Sequence, residues 1–314
     1  MSHEVETMAY AGQVPWHGLG ERVSNDLTPS QMMQKSGVDW SVSKQKMYIL
    51  DGINVPNKMA LIRDEDNKVL DIVGNDWEPV QNSEAFNFFT EYCAAGDMEM
   101  HTGGSLMGGK IVWVLAKIND SFDVLPGDRI DNYMLFTNPH KYGKTLNIRM
   151  TPTRVVCNNT LQMSLSATSK NEVTLNHRRE FNPEMVKEQL GIAHQKFEQY
   201  KEFATFLSKK KAKFSDVIQY MNSVFPHSNT KGKEVKEYSE LSTSAKQAVD
   251  ILETQPGANF AMGTWWNAVN SVTYMTDHIL GRNSETRLVS SWYGNNSSRK
   301  VKAVNLAIEM AEAA

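Results

Sequence analysis

The stretch Ile111-Val-Trp-Val-Leu-Ala-Lys-Ile118 carries the fold assignment. It is a short apolar run rich in β-branched and aromatic residues, too short for an ordinary helix, and so reads as a buried strand. On its N-terminal side, Gly103-Gly104 and Gly108-Gly109-Lys110 read as a glycine-rich hairpin leading into it. Such a loop beside a lysine can cradle phosphate with backbone N–H groups. This one precedes a strand and lacks the helix N-terminus of nucleotide sites, which leaves a plain flexible turn as the alternative. Further out, Trp40 to Leu50 reads as a strand, and Met59 to Arg63 with Val69 to Val73 as a hairpin around Asp64-Glu65-Asp66-Asn67. Tyr133 to Thr137 and Leu146 to Met150 follow, separated by the turn-rich Asn138-Pro139-His140-Lys141-Tyr142-Gly143. Two helices interrupt these strands. Thr28-Pro29-Ser30-Gln31 has a cap, Pro at the first helical position and Gln three residues after the cap. Ser83 to Ala95 sets Phe86, Phe89 and Cys93 on one face, as core.

The texture changes near residue 180. Asn182-Pro183 opens a helix in which Val186, Leu190, Ala193, Phe197, Tyr200, Ala204 and Leu207 step by four and three, a heptad seam for a partner in this chain or in a second copy. Further helices are predicted at Ser215 to Phe225, near Ser242 to Glu253, at Thr264 to Leu280 and at Lys300 to Ala311. Residues 226–240 are polar and unpatterned and read as a mobile loop. The expected architecture is α+β: residues 1–180 form a mixed or antiparallel sheet with crossing helices, and residues 181–314 a mainly helical region packed on that core or on a neighbouring subunit.

The 314 residues suit one or two domains, and 22% charged with 40% hydrophobic residues is ordinary for a soluble globular protein. A net charge of −3 excludes a wholesale polycation but leaves room for a local basic groove. Cys93 and Cys157 are the two cysteines, and neither they nor the histidines have metal-ligand spacing. No metal and no tightly bound cofactor are therefore expected. No apolar run approaches the ~20 residues that span a membrane, and the N-terminus lacks the pattern of a signal peptide, so a cytoplasmic location is expected. The phosphate-binding, nucleophile-elbow and zinc-protease motifs are missing, and the balance falls against an enzyme.

The candidate site centres on Thr151-Pro-Thr-Arg154-Val-Val-Cys-Asn158-Asn159-Thr-Leu161. Arginine offers a planar fork for phosphate or carboxylate, and asparagine a donor and an acceptor on a short stem. The same residues also suit a buried turn. From 139 to 180, Lys141, Lys144, Arg149, Arg154, Lys170, Arg178 and Arg179 face only Glu172 and Glu180, a local charge near +5 (seven minus two). That asymmetry is a footprint of nucleic-acid binding, or simply a solvated surface. Trp265 and Trp266, and Trp292 ahead of Arg299-Lys300, interleave aromatic faces with cations as single-strand binding requires; helix packing explains them equally well. His17, in Pro15-Trp16-His17-Gly18-Leu19-Gly20, can stack on a base, or Trp16 can plug a core groove.

In order, the runs PWHGLG, GNDWEPVQNSEAFNFF, GSLMGGKIVWVLAKI, TPTRVVCNNTL, GTWWNAVNSVTYMTDH and SWYG resemble the phage and plasmid-like proteins that carry domain of unknown function 932, from about Met8 to Gly294. The resemblance implies a bacteriophage or mobile-element origin, in a bacterial host cell, and supplies no established activity. It implies, more remotely, an analogy to the Redβ, RecT and Rad kind of single-strand annealing recombinase, with a basic groove and ring or helical oligomers. The expected function is then a non-catalytic protein that binds and anneals single-stranded DNA as a homo-oligomer. Its DNA-binding residues would be Lys141, Lys144, Arg149, Arg154, Asn158, Asn159, Arg178, Arg179, Trp265, Trp266 and Trp292. A phage structural or host-interaction protein, and a nucleotide-acting enzyme using Arg154, Asn158, Asn159 and His140, are the alternatives.

Overall fold

The computed structural model describes residues 5–12, 20–154, 159–160, 172–178, 181–182, 184 and 198–313. The fold is mixed α+β, with helices concentrated toward the C-terminus.

The main sheet contains β1 (Val5–Ala11), β2 (Glu21–Val23), β6 (Met98–Leu106), β7 (Ile111–Asp123), β8 (Arg129–Pro139), β9 (Leu146–Arg154) and β10 (Asn159–Thr160), in the order β10-β9-β8-β7-β6-β1-β2. A further strand, β11 (Glu172–Leu175), pairs antiparallel with β9. β1 runs parallel to β2 and antiparallel to β6, so the sheet is mixed. A second sheet, β3 (Val42–Tyr48), β4 (Asn54–Arg63) and β5 (Lys68–Val73), is antiparallel throughout. Its β4–β5 turn falls on the predicted Asp64–Asn67 segment. The buried run at 111–118 is the first part of β7.

The glycines before β7 do two different things. Gly103 and Gly104 lie inside β6, not in a hairpin turn. A Cβ on Gly104 would stand 2.4 Å from Trp113 and 2.5 Å from the carbonyl oxygen of Thr7, so only glycine lets those neighbours close in. The turn itself is Met107 to Lys110, where Gly108 and Gly109 hold φ of +67° and +87°. β1, which covers the far edge of β6, had no legible strand signal.

Helix α1 (Pro29–Lys35) starts as its cap predicts. Thr28 accepts from the Gln31 N–H, and the Gln31 side chain accepts from the Thr28 N–H. The single helix expected over 83–95 is two, α2 (Asn82–Asn87) and α3 (Thr90–Ala95). The break falls at Phe88 and Phe89, which are 5% and 0% exposed. Adjacent residues of an unbroken helix point about 100° apart, and breaking it lets both rings go inward.

In the second half, residues 198–209 are helical (α4), followed by α5 (Phe214–Val224), α6 (Thr243–Asp250), α7 (Trp265–Tyr274), α8 (Ser284–Tyr293) and α9 (Asn295–Ala313). α7 passes directly into a π turn, Met275–Ile279. The residues 226–240, expected to be mobile, are fastened: Asn222 donates to the carbonyls of Thr230 and Lys233, and Val235 is buried.

The chain forms two compact units. The first comprises 1–119, 133–150 and 172–193; the second comprises 120–132, 151–171 and 194–314. Both draw on segments from either side of residue 180. In the second unit α7 is buried on every side and packs on α9, which also receives α5 and α8. The C-terminal end of the predicted heptad is core here: Tyr200, Ala204 and Leu207 are each at most 2% exposed, and the Tyr200 ring meets Trp266 at 6.4 Å. That part of the seam is therefore not an open assembly face; Val186, Leu190, Ala193 and Phe197 lie outside the described residues.

Candidate nucleic-acid interface

In the first unit, the segment Trp77 to Asn82 organises a buried polar network. Gln81 exchanges hydrogen bonds with the N–H and carbonyl of Val42. Asn82 donates to the carbonyls of Val38 and Trp40, which turns its amide oxygen toward His140. That oxygen can only accept, so His140 Nε2 carries the proton and donates across 2.9 Å. Asn138 donates to the carbonyl of Val80 at 2.8 Å. The His177 ring stacks on Trp77 at 4.1 Å, and its Nδ1 donates to the carbonyl of Glu78 at 3.2 Å. Burial, with a further push from His177, lowers the pKa of His140 to about 3; burial lowers that of His177 to about 4. Both rings are neutral at pH 7. His140 is fully buried, which removes it as a substrate-contacting group.

This network anchors the turn that follows it. The His140 N–H donates to the carbonyl of Lys110, and the Lys144 N–H closes back on the carbonyl of Lys141. Gly143 sits at φ +73°, which glycine adopts without strain. The Tyr142 N–H is held by the Asp71 carboxylate at 2.9 Å. The turn thereby presents Lys141, Tyr142 and Lys144. The Tyr142 ring is 62% exposed, and Lys58 from β4 sets its ammonium 6.0 Å from the ring centroid. Lys58 and Lys144 are themselves exposed.

Two of the predicted binding residues, Lys141 and Lys144, thus stand on an exposed turn, and an aromatic ring that the prediction omitted stands between them. The signal was a tyrosine flanked by lysines in a polar turn. The other predicted residues fare differently. Arg149 is 5% exposed, interior to the first unit, and does not meet solvent phosphate. Arg178 is exposed and pairs with the equally exposed Asp76, 3.0 Å away. The backbones of Arg154 and Asn159 are register partners in the β9–β10 ladder. Asn158, Arg179 and His17 lie outside the described residues.

The tryptophans are corrected outright. Trp265, Trp266 and Trp292 are 0%, 1% and 7% exposed, so none offers a face for a base. Trp265 packs on Tyr220 at 5.6 Å, and Trp266 donates its indole N–H to Asp128 at 3.0 Å. Neighbouring rings on one helix can both be core because α7 is enclosed on all sides.

Among the described residues no group of three or more His, Cys, Asp and Glu side chains is placed to hold a metal, and no helix is long and apolar enough to cross a membrane.

Fold and site together define a mixed α+β protein that carries a lysine-flanked aromatic turn on its first unit. The chain belongs to the family of the domain of unknown function DUF932, whose model matches residues 69–306. No curated protein matches it, and no solved structure does. The matched segment begins at Val69 in β5 and so includes Trp77 to Asn82, the Tyr142 turn and the helices of the second unit as far as Leu306 in α9.

Proposed function

We propose that this chain is a non-catalytic single-stranded DNA-binding protein that acts in strand annealing as an oligomer, with the Tyr142 turn as one contact. The observation that carries the reading is the exposed Tyr142 ring, with the Lys58 ammonium 6.0 Å from its centroid and Lys141 and Lys144 in the same turn, on a backbone held through the buried His140 and by Asp71. Every base has a π-face, so one exposed aromatic with cations around it binds single strands without choosing a sequence. Fluorescence anisotropy with a labelled oligothymidylate, at low and at moderate salt, tests it. Tyr142→Ala is expected to weaken binding roughly tenfold, within the ~1–3 kcal/mol of one base–aromatic stack, while Tyr142→Phe stays near wild type. Absence of wild-type binding at low salt overturns the reading; equal affinity of Tyr142→Ala and wild type removes this turn from it.

A second reading, a protein-interaction role, draws on the tip between β3 and β4. Tyr48, Ile49, Leu50 and Ile53 are 59%, 59%, 88% and 58% exposed there, on a turn closed by Ile49–Ile53 backbone pairing. Apolar exposure of this kind marks contact surfaces. Under this reading, Leu50→Ser with Ile53→Ser lowers the sedimentation mass of the wild-type assembly and leaves oligothymidylate binding intact. An unchanged mass removes the tip as a self-contact.

A further inference from the structure

Residues 208–214 read Ser-Lys-Lys-Lys-Ala-Lys-Phe, four lysines within five positions of a chain whose net charge is −3. The structure holds this segment in place at both ends. As α4 finishes, the carbonyl of Lys210 accepts from the N–H of Trp265, the first residue of the buried helix α7, and the N–H of Ala212 donates to the carbonyl of Gly263, each at 3.0 Å. Lys211 forms an antiparallel bridge with Thr264, and Lys213 is extended as the N-cap of α5. The backbone is thus fastened to the most deeply buried helix of the second unit.

Its side chains point the other way. Lys209, Lys210, Lys211 and Lys213 are all exposed, with Phe214 62% and Met262 49% exposed beside them. None of the four lysines has a carboxylate within ion-pair distance among the described residues. Lys210 instead lies over the Phe206 ring at 5.3 Å, and Lys211 donates to the carbonyl of Met262 at 3.3 Å. Four like charges on five consecutive residues repel one another wherever they stand within the Debye length, about 8 Å at physiological salt. A row of regularly spaced anions relieves that repulsion, and the entropy gained by releasing counterions adds to the binding.

We propose that Lys209 to Phe214 is a second, phosphate-backbone contact for a polyanion, located on the second unit and separate from the Tyr142 turn. The four ammonium groups take phosphates, and Phe214 and Met262 supply apolar surface for the sugars or bases between them. Naming the polyanion as single-stranded DNA rests on the proposed function; the phosphate chemistry does not.

The test uses the full chain carrying Lys209→Gln, Lys210→Gln, Lys211→Gln and Lys213→Gln, titrated with labelled oligothymidylate over a salt series. Each cation removed is expected to reduce the log–log salt slope by roughly 0.7, hence by ~3 for the set, and the loss is expected to add to that of Tyr142→Ala. If the quadruple change disturbs folding, Lys209→Gln with Lys213→Gln spares the two lysines whose backbone pairs with 264–265. A wild-type slope and affinity in the lysine variants, alongside weakened binding by Tyr142→Ala, overturns this site and leaves the single-strand reading standing. Labelled inorganic polyphosphate, which has no bases, supplies the converse arm. If wild type binds it but not oligothymidylate, and the lysine changes abolish that binding, the site stands and the DNA reading falls. Binding of neither probe overturns both.

Discussion

Lys300→Met is expected to destabilise the second unit by about 3–5 kcal/mol, one of the two largest effects predicted for this chain. The Lys300 ammonium and the Asp277 carboxylate form an ion pair with side chains only 0% and 5% exposed. Asp277 sits in the π turn that ends α7, and its carboxylate also accepts from Ser291 of α8 at 2.8 Å. Beside it, Asn296 of α9 donates to the carbonyl of Thr276 at 2.9 Å. Three helices therefore converge on one turn, whose wider winding interrupts the α-helical ladder. Removing the lysine takes the ion-pair partner from a buried carboxylate and leaves the charge of Arg287 to act on it alone; removing the carboxylate by Asp277→Asn takes the ion-pair partner from the buried ammonium. Each single change should lower the urea midpoint followed by circular dichroism. The double change Lys300→Met with Asp277→Leu should recover much of the loss, because the desolvation of both charges disappears with them. Single variants within about 1 kcal/mol of wild type would refute this account.

The second large effect is a loss of stability in mild acid from the two histidines of the first unit. Both have folded pKa values depressed below the ordinary value of 6.5, to about 3 for His140 and about 4 for His177. Below pH 6.5 the unfolded chain takes up protons that the folded chain refuses. Their stabilising contribution is therefore complete above pH 6.5 and is lost as pH falls toward 4 and then 3. For His177 the displacement corresponds to roughly 3 kcal/mol at about 1.4 kcal/mol per pH unit. His140 adds to this, though not independently, because part of its displacement comes from His177. His177→Phe keeps a ring against Trp77 and removes the titrating group. Urea unfolding at a series of pH values should give the variant a flatter profile between pH 7 and 4 than wild type. Parallel profiles would mean that His177 is not held neutral by the fold.

The contrast between these groups and the Tyr142 turn shows how much of the site could be read in advance. A turn between Tyr133–Thr137 and Leu146–Met150 was legible from its Asn, Pro and Gly, and so were the lysines on it. That Tyr142 stands in solvent was not, since it depends on Asp71 and Lys58, which only the pairing of β4 with β5 brings alongside. The Lys209–Lys213 run stands in the sequence but was not singled out from it, and that it has no carboxylate partner among the described residues follows from where the neighbouring elements lie.

The sequence by itself determined what depends on near neighbours along the chain. The Thr28 cap, the turn at Asp64–Asn67, the strand at Ile111–Ile118 and the helical periodicity after residue 180 each express a local steric or hydrogen-bonding preference that survives in the folded protein. Tertiary structure decided burial wherever the local pattern left it open. Arg149, His140, Lys300 and the tryptophans Trp265, Trp266 and Trp292 all look like surface or site residues in a linear reading, and all are interior. Whether these polar and indole side chains are desolvated depends on what packs over them from distant parts of the chain, which their own local patterns left open.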